Sequence, residues 1–251
     1  MKEPFIKMEK IVKYFGSIQA LKNVDFYVHE GEHVGLIGDN GAGKSTLIRI
    51  LSGVYKQDKG KLYIDGKEQK DFSASKAREL GILTVHQGFG LVECMSAARN
   101  LFLGEEPIRK IGFFKFLDLD KMKKTTENIL REIGISSQIT PDSLVGTMSG
   151  GERQSLKIAR AVLRKARLII LDEPTVGLSI RESDKVRTAV KELKEKGIAT
   201  IYISHNIDEV YDVSDRLVVL NAGIVIGEFK KEEASVEEIK NLIRGGKKVG
   251  R

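Results

Sequence analysis

The segment Gly38–Thr46 reads GDNGAGKST, and no other stretch limits the possible folds of this chain so tightly. It fits the pattern G-x-x-x-x-G-K-[ST], with Gly38, Gly43, Lys44 and Ser45 at the fixed places. Such a loop needs a strand before it and a helix after it, because the helix N-terminus supplies free N–H groups and the positive end of a dipole. Both neighbours are present. The apolar run His33–Ile37 precedes the loop, and Ser45–Leu51 carries helical spacing that ends near Gly53. Gly41 and Gly43 have no Cβ and let the main chain approach an anion closely. The loop residues Asp39, Asn40, Gly41, Ala42, Gly43 and Thr46 can then form a nest of N–H groups for phosphate. Lys44 would place a compact cation on the terminal phosphates, and Ser45 would offer a hydroxyl to magnesium.

A second segment gives the first its chemistry. The apolar run Leu168–Leu171 ends in Asp172-Glu173, and Pro174 stops further strand pairing. Asp172 is the expected magnesium-side carboxylate of a phosphate-loop site. Glu173 is placed to act as general base on an attacking water, or to orient it. One acidic residue there suits nucleotide binding; two in a row suggest hydrolysis.

The rest of the chain reads as an α/β core with an insertion. Short strands at Ile6–Ile11, Val24–Val28 and Lys61–Ile64 alternate with turns, and Asp65-Gly66 marks a hairpin. From Gly88 to about Met148 the strand-like alternation fades. Leu119–Ile133 shows charged helical periodicity closed by Gly134, so this stretch is expected to be an inserted helical subdomain. Strand patterns return at Leu168–Leu171, Ala199–Ile203 and Leu217–Leu220, with an amphipathic helix Ser183–Lys196 between the first two. That order implies a right-handed parallel crossover. Asn221-Ala222-Gly223 turns into a strand Ile224–Phe229, and residues 230–251 form a charged tail, helical around Val236–Ile243 and frayed after Gly245. There is no internal repeat, so one nucleotide unit is expected and not two.

Composition excludes some classes of function and selects none. The 251 residues suit one large domain, or one domain carrying a subdomain. The 42 basic and 35 acidic residues, net +7, are interspersed along the chain, which reads first as a solvated mixed-charge surface; the balance permits contact with nucleic acid, anionic lipid or nucleotide without selecting one. Cys94 is the only cysteine, which excludes an internal disulfide and a cysteine metal site. The charged start MKEPFIKMEK lacks the apolar core of a signal peptide, and no apolar run approaches the ~20 residues of a membrane span. The expectation is a soluble, cytoplasmic chain; any membrane part of its task would belong to another protein.

Met148–Gln154 reads MSGGERQ, and together with Gln87, Glu173 and His205 in that order the chain resembles the ATP-binding cassette of ABC transporters over nearly its whole length. The resemblance implies a P-loop NTPase core of the RecA-like kind, an N-terminal antiparallel β subdomain and an inserted helical subdomain. On that pattern residues 1–87 hold the β subdomain and the first part of the core. Residues 88–159 are the insertion with its signature at 148–154, residues 160–229 complete the core, and 230–251 are the tail. ATP and Mg2+ are the implied ligands. Gln87 becomes the glutamine that senses magnesium or water at the γ-phosphate, and His205, in ISHN, the histidine that contacts that phosphate. Phe15 aligns with the adenine-stacking aromatic, with Tyr14 as its competitor. His29, His33 and His86 match no role and read as structural.

Ser149, Gly150, Gly151 and Glu152 open a helix expected over Glu152–Leu163, whose N–H groups would face outward with no second phosphate loop in the chain to fill them. In the family they meet the nucleotide of a second cassette packed head-to-tail. One departure concerns Ser179, in PTVGLS, where the family usually has Asp. The words NGAGKSTL, HQGFGLVE, FLGEEP and EPTVGLSIRES are most similar to the simple-sugar uptake branch, although Gly88-Phe89-Gly90 departs from the more usual Glu-Leu-Asn. The expectation is a homodimeric motor on the inner face of the membrane, coupled to a permease and, through it, to an extracytoplasmic solute-binding protein. Other solute importers, an exporter, or a nucleic-acid- or ribosome-associated ATPase share the same motor and remain alternatives. No direct nucleic-acid contact is expected.

Overall fold

The structure, a computed structural model, describes residues 3–86, 90–135 and 139–245, and the chain divides into two compact units. The first comprises residues 1–84, 167–173 and 194–251, and the second residues 85–166 and 174–193.

The first unit opens with β1 (Ile6–Phe15) and β2 (Ile18–Val28), an antiparallel pair. Both run further than the sequence pattern suggests. Lys10 takes a positive φ and the register shifts after Met8, so the in–out alternation of β1 breaks and Ile11 and Val12 are both buried. A bulge of this kind hides half of a strand from a period-two reading. Next come β3 (His33–Ile37), α1 (Lys44–Leu51), β4 (Lys59–Ile64), β5 (Lys67–Glu68), α2 (Ala74–Glu79) and β6 (Ile82–Val85). Asp65 and Gly66 join β4 to β5 with positive φ at both positions, the geometry a two-residue hairpin turn requires.

The second unit carries α3 (Ala97–Phe102), β7 (Ile108–Ile111), β8 (Phe114–Leu117), α4 (Leu119–Glu132) and α5 (Gly150–Leu163). The chain then forms β9 (Leu168–Asp172), α6 (Ile180–Glu195), β10 (Ala199–Ile203), α7 (Ile207–Val213), β11 (Arg216–Asn221), β12 (Ile224–Lys230) and α8 (Val236–Gly245). The sequence pattern misses α7, which is only seven residues long and shows its start through the cap Asn206. The expected fraying after Gly245 lies outside the described residues.

Two sheets build the first unit, one antiparallel in the order β2-β1-β4-β5 and one in the order β12-β11-β3-β10-β9-β6. In the second, β3 pairs in parallel with β10 and β11, and β10 in parallel with β9, while the β11–β12 hairpin is antiparallel. The central strands are buried on both faces, so they read as continuous apolar runs. A single core joins the sheets, with Met8, Phe26 and Leu62 on one side, Leu36, Ile170 and Ile201 on the other, and Leu47 and Leu51 of α1 packed among them. Arg216 on β11 anchors one flank. The residue is 5% exposed, and its guanidinium donates to Glu32 Oε1 (2.6 Å), Glu228 Oε1 (3.0 Å) and the Tyr27 carbonyl (2.7 Å) and lies 3.9 Å from the Tyr27 ring centroid.

In the second unit α3, α4 and α5 enclose a separate core of Leu101, Phe102, Met122, Leu130, Val145 and Leu156. The buried side chain of Asn100 ties the segment before α3 to this core. Its Oδ1 accepts from the Val92 N–H (2.7 Å), and its amide donates to the carbonyls of Val92, Met95 and Ser96. The β7–β8 hairpin interrupts what the sequence pattern takes to be helical. Among the described residues no helix is long and apolar enough to cross a membrane.

Candidate functional site

The parallel register decides which residues meet. Ile203 stands beside Asp172 on one side and Leu36 on the other, so β9, β10 and β3 end together. Their C-terminal ends deliver three things to one edge: Asp172-Glu173, Ser204-His205, and the glycine loop before α1. Crevices at this edge of parallel sheets are where such folds bind ligands. Here an open cleft of about 260 Å³ is lined by Ala20, Asp39, Asn40, Gly41, Ala42, Gly43, Lys44, Ser45, Thr46, Asp172, Glu173, Ile203 and His205.

The loop is pinned from both sides. The Ala42 N–H donates to the Asp39 carbonyl (3.1 Å), and the Gly223 N–H in the β11–β12 turn donates to the Ala42 carbonyl (2.9 Å). Gly43 caps α1 at φ +105°, where a Cβ would sit 2.9 Å from the Ala20 carbonyl oxygen. Gly41 has φ +79° and nothing within 4 Å of such a Cβ. The two glycines thus answer different demands: Gly43 fits under β2, and Gly41 keeps a turn that faces the cleft. Lys44 folds back on its own loop, its Nζ donating to the carbonyls of Gly38 (2.5 Å) and Asp39 (3.1 Å). Burial pushes its ammonium below the ordinary lysine range, while the negative charges of Glu173, Asp39 and Asp172 oppose that shift.

Glu173 leaves β9 with φ +51°, a left-handed conformation unusual for a side chain this size. Its N–H still donates to the Ile203 carbonyl at 2.9 Å, so the turn is held by the sheet itself. The carboxylate lies against His205, with Nε2 2.5 Å from Oε1, and both groups keep access to solvent. His205 sits between the end of β10 and Asn206, whose side chain caps α7 by accepting from the N–H groups of Asp208 (3.1 Å) and Glu209 (3.4 Å). A carboxylate held beside an imidazole and facing a cationic loop can take a proton from water while the loop holds an anion.

Phe15 and Tyr14 end β1, each 42% exposed, and neither lines the cleft. The Phe15 ring packs edge-on against Tyr55 with centroids 5.4 Å apart, and Lys13 Nζ lies 5.7 Å from it. Gln87, with Gly88 and Phe89, lies outside the described residues. His33 is buried on β3 with Nδ1 3.2 Å from the Val213 carbonyl oxygen, a structural position.

In the second unit, Ser149 caps α5 in a reciprocal capping box. Its hydroxyl accepts from the Glu152 N–H (3.3 Å), and Glu152 Oε2 accepts from the Ser149 N–H (2.8 Å). The helix therefore starts at Gly150, earlier than its apolar periodicity suggests, because a cap and two glycines carry no periodic signal. A Cβ on Gly150 would meet Leu178 Cδ2 at 2.5 Å, and one on Gly151 would meet Glu182 Cβ at 2.9 Å. Packing within the subunit is reason enough for glycine at both positions.

Glu182 is the residue that sequence reasoning missed here. Its Oε1 accepts from the Gly151 N–H (3.3 Å), and its Oε2 accepts from both the N–H (3.0 Å) and the hydroxyl (2.8 Å) of Ser179. These donors, the Ser179 N–H first, hold its carboxyl down to about 2. The Ser-x-x-Glu spacing of Ser179 and Glu182 is a capping-box signal that could have revealed it. It also explains Ser179, which caps α6 where an aspartate could equally serve. A groove of about 340 Å³ runs along this unit, lined among others by Gly90, Leu91, Arg153, Gln154, Lys157 and Leu178.

Glycine loop, acidic strand end and histidine, gathered at one edge of a largely parallel sheet, define a P-loop nucleotide-binding protein. Residues 21–176 match the family model described as ABC transporter. The chain is 39% identical, over 98% of its length, to a ribose import ATP-binding protein of Clostridium tetani, and covers 48% of that protein, so it spans about half the length of such relatives. It is 41% identical to a xylose/arabinose import ATP-binding protein of Sulfolobus acidocaldarius, over 95% of this chain and 93% of that one. A solved dimeric ATP-binding cassette in a post-hydrolysis state, bound to ADP and Pi, superposes with a TM-score of 0.73 at 26% identity, covering 90% of this chain and 98% of that one. The chain belongs to the ABC transporter family, as an ATP-binding cassette.

Proposed function

We propose that this chain is the ATP-hydrolysing motor subunit of an importer for a monosaccharide, working as a head-to-tail pair of cassettes beneath a membrane permease. The observation that carries the hydrolytic reading is the contact of Glu173 with His205 on the wall of the cleft that the glycine loop and Lys44 complete. ATP phosphates lie along the N–H groups of residues 39–46, and Lys44 exchanges its two loop carbonyls for phosphate oxygens. Glu173 orients the attacking water and accepts its proton. His205 holds the Glu173 carboxylate in place and reaches the γ-phosphate. Phe15 or Tyr14 stacks on the adenine.

Ser45 and Asp172 both line the cleft and present only oxygen donors, the set that a hard cation such as Mg2+ selects. With Gln87 they would hold it, and its charge would offset that on the β- and γ-phosphate oxygens. Ser149, Gly150, Gly151 and Glu152 face the nucleotide of a second copy, so each site is completed by two subunits. The groove beside Leu91 and Gln154 receives a segment of the permease. The ribose and xylose/arabinose import relatives support a sugar as the solute.

Glu173→Gln tests the centre of this reading. Turnover should fall by about 10²–10⁴-fold, and the variant should accumulate as an ATP-bound dimer on size exclusion. Unimpaired turnover would remove Glu173 from the mechanism. In proteoliposomes holding the permease and its binding protein, a pentose or hexose should stimulate ATP hydrolysis; stimulation by unrelated solutes alone would reassign the cargo.

A further inference from the structure

The β7–β8 hairpin is out of keeping with the rest of the surface. Ile108, Ile111, Phe114, Phe116 and Leu117 are all exposed, and Phe113, at the turn, is fully so. The hairpin pairs with no other strand among the described residues. A lone two-stranded ribbon gains little from water, and a contiguous apolar patch of this kind marks a contact surface. The turn is built for display. Gly112 takes φ +59° with nothing within 4 Å, and the Asp118 N–H closes the base of the hairpin by donating to the Pro107 carbonyl at 2.9 Å.

The register shows what kind of partner fits. Cross-strand partners share a face, and faces alternate along each strand. Ile111 with Phe114 and Arg109 with Phe116 therefore occupy one face, with the rings of Phe114 and Phe116 6.3 Å apart. Ile108 with Leu117 and Lys110 with Lys115 occupy the other. Apolar side chains thus stand on both faces and at the tip, and cations stand behind the tip on both faces. A protein groove buries one face of a ribbon. A medium that surrounds the tip on every side suits this arrangement better. Lys110 directly opposite Lys115 is unfavourable by itself, and it becomes favourable against anionic groups. Residues 107–117 contain no carboxylate.

We infer that the β7–β8 hairpin inserts its tip into the surface of an anionic lipid bilayer, with Phe113, Phe114 and Ile111 among the headgroups and upper acyl chains. Arg109, Lys110 and Lys115 meet the lipid phosphates. This contact needs neither nucleotide nor permease, so it stands or falls apart from the transport reading.

The test is co-sedimentation of the full chain with vesicles of phosphatidylcholine alone or mixed with phosphatidylglycerol. Binding should require the anionic lipid and weaken as salt is raised. Phe113→Ser/Phe114→Ser should lower it more than about tenfold. Lys110→Gln/Lys115→Gln should lower it roughly 25-fold, at about fivefold per cation. Removing two exposed lysines of the other unit, Lys67→Gln/Lys70→Gln, should leave it nearly unchanged and so exclude an effect of net charge. The altered side chains are all exposed, so unchanged melting temperatures would show that each variant folds. Failure to sediment with anionic vesicles would overturn the inference, as would undiminished binding by the Phe113/Phe114 variant. Binding only to vesicles that carry a permease would also overturn it and identify a protein partner.

Discussion

Replacing Gly43 with alanine should cost far more fold stability than replacing Gly41, although both belong to one loop and both have positive φ. At Gly43 two penalties combine. Holding alanine at φ +105° costs about 1–3 kcal/mol. Its Cβ would also lie 2.9 Å from the Ala20 carbonyl oxygen and from Leu21 Cδ2, an overpacking that costs about 1–3 kcal/mol more. At Gly41 only the backbone penalty remains, about 1–2 kcal/mol, because no atom lies within 4 Å. In a chain of this size each kcal/mol lowers Tm by about 2–4 °C. Gly43→Ala should therefore melt roughly 2–12 °C below Gly41→Ala in calorimetry without nucleotide, the range of the clash alone. Gly41→Ala should show its defect elsewhere. Gly41 lines the cleft, so with a methyl added there, titration with a fluorescent ATP analogue should give an affinity at least about fivefold weaker, the low end of a one-methyl overpacking. If Gly41→Ala melts as low as Gly43→Ala, or binds nucleotide normally, the division of roles between the two glycines is wrong.

Two further outcomes follow from the buried and capping groups. Burial lowers the affinity of His33 for a proton, against the opposing charge of Asp215, so the folded state stays neutral where the unfolded chain is protonated. That stability is present above about pH 6.5 and is lost as pH falls from there toward the folded value. Tm should drop between about pH 7.5 and 5.5 more steeply in the wild type than in His33→Asn, and parallel profiles would exclude His33 as the cause. Glu182 places a full negative charge on the Gly151 N–H, one of the groups proposed to meet the partner's nucleotide. Glu182→Gln, made in the Glu173→Gln background, should raise the dimer fraction at a given ATP concentration several-fold. A lower fraction would mean that Glu182 supports the site and does not compete for it.

The chain's own order of residues determined the class of chemistry. The loop GDNGAGKST and the pair Asp172-Glu173 are local signals, because a phosphate nest and a strand-end carboxylate depend on neighbours in sequence. The continuous apolar runs of β3, β9 and β10 were legible for the same reason, being buried on both faces. Elements whose form comes from distant contacts were not. β1 was read short because its bulge depends on pairing with β2 and β4. The β7–β8 hairpin was hidden because its apolar residues stand on both faces and show no alternation.

Only the tertiary structure decided how the site is assembled. Glu173 and His205 are separated along the chain by α6 and β10, and the register that sets Ile203 beside Asp172 brings them to 2.5 Å. Likewise, the glycines of the signature follow a family pattern in the sequence and Ser179 departs from one, but their physical demands come from packing. Gly150 and Gly151 lie against Leu178 and Glu182, and Ser179 caps the helix that holds Glu182. Local sequence selects which groups are available for phosphate chemistry. Strand register and close packing, which depend on residues far apart in the chain, decide which of them touch.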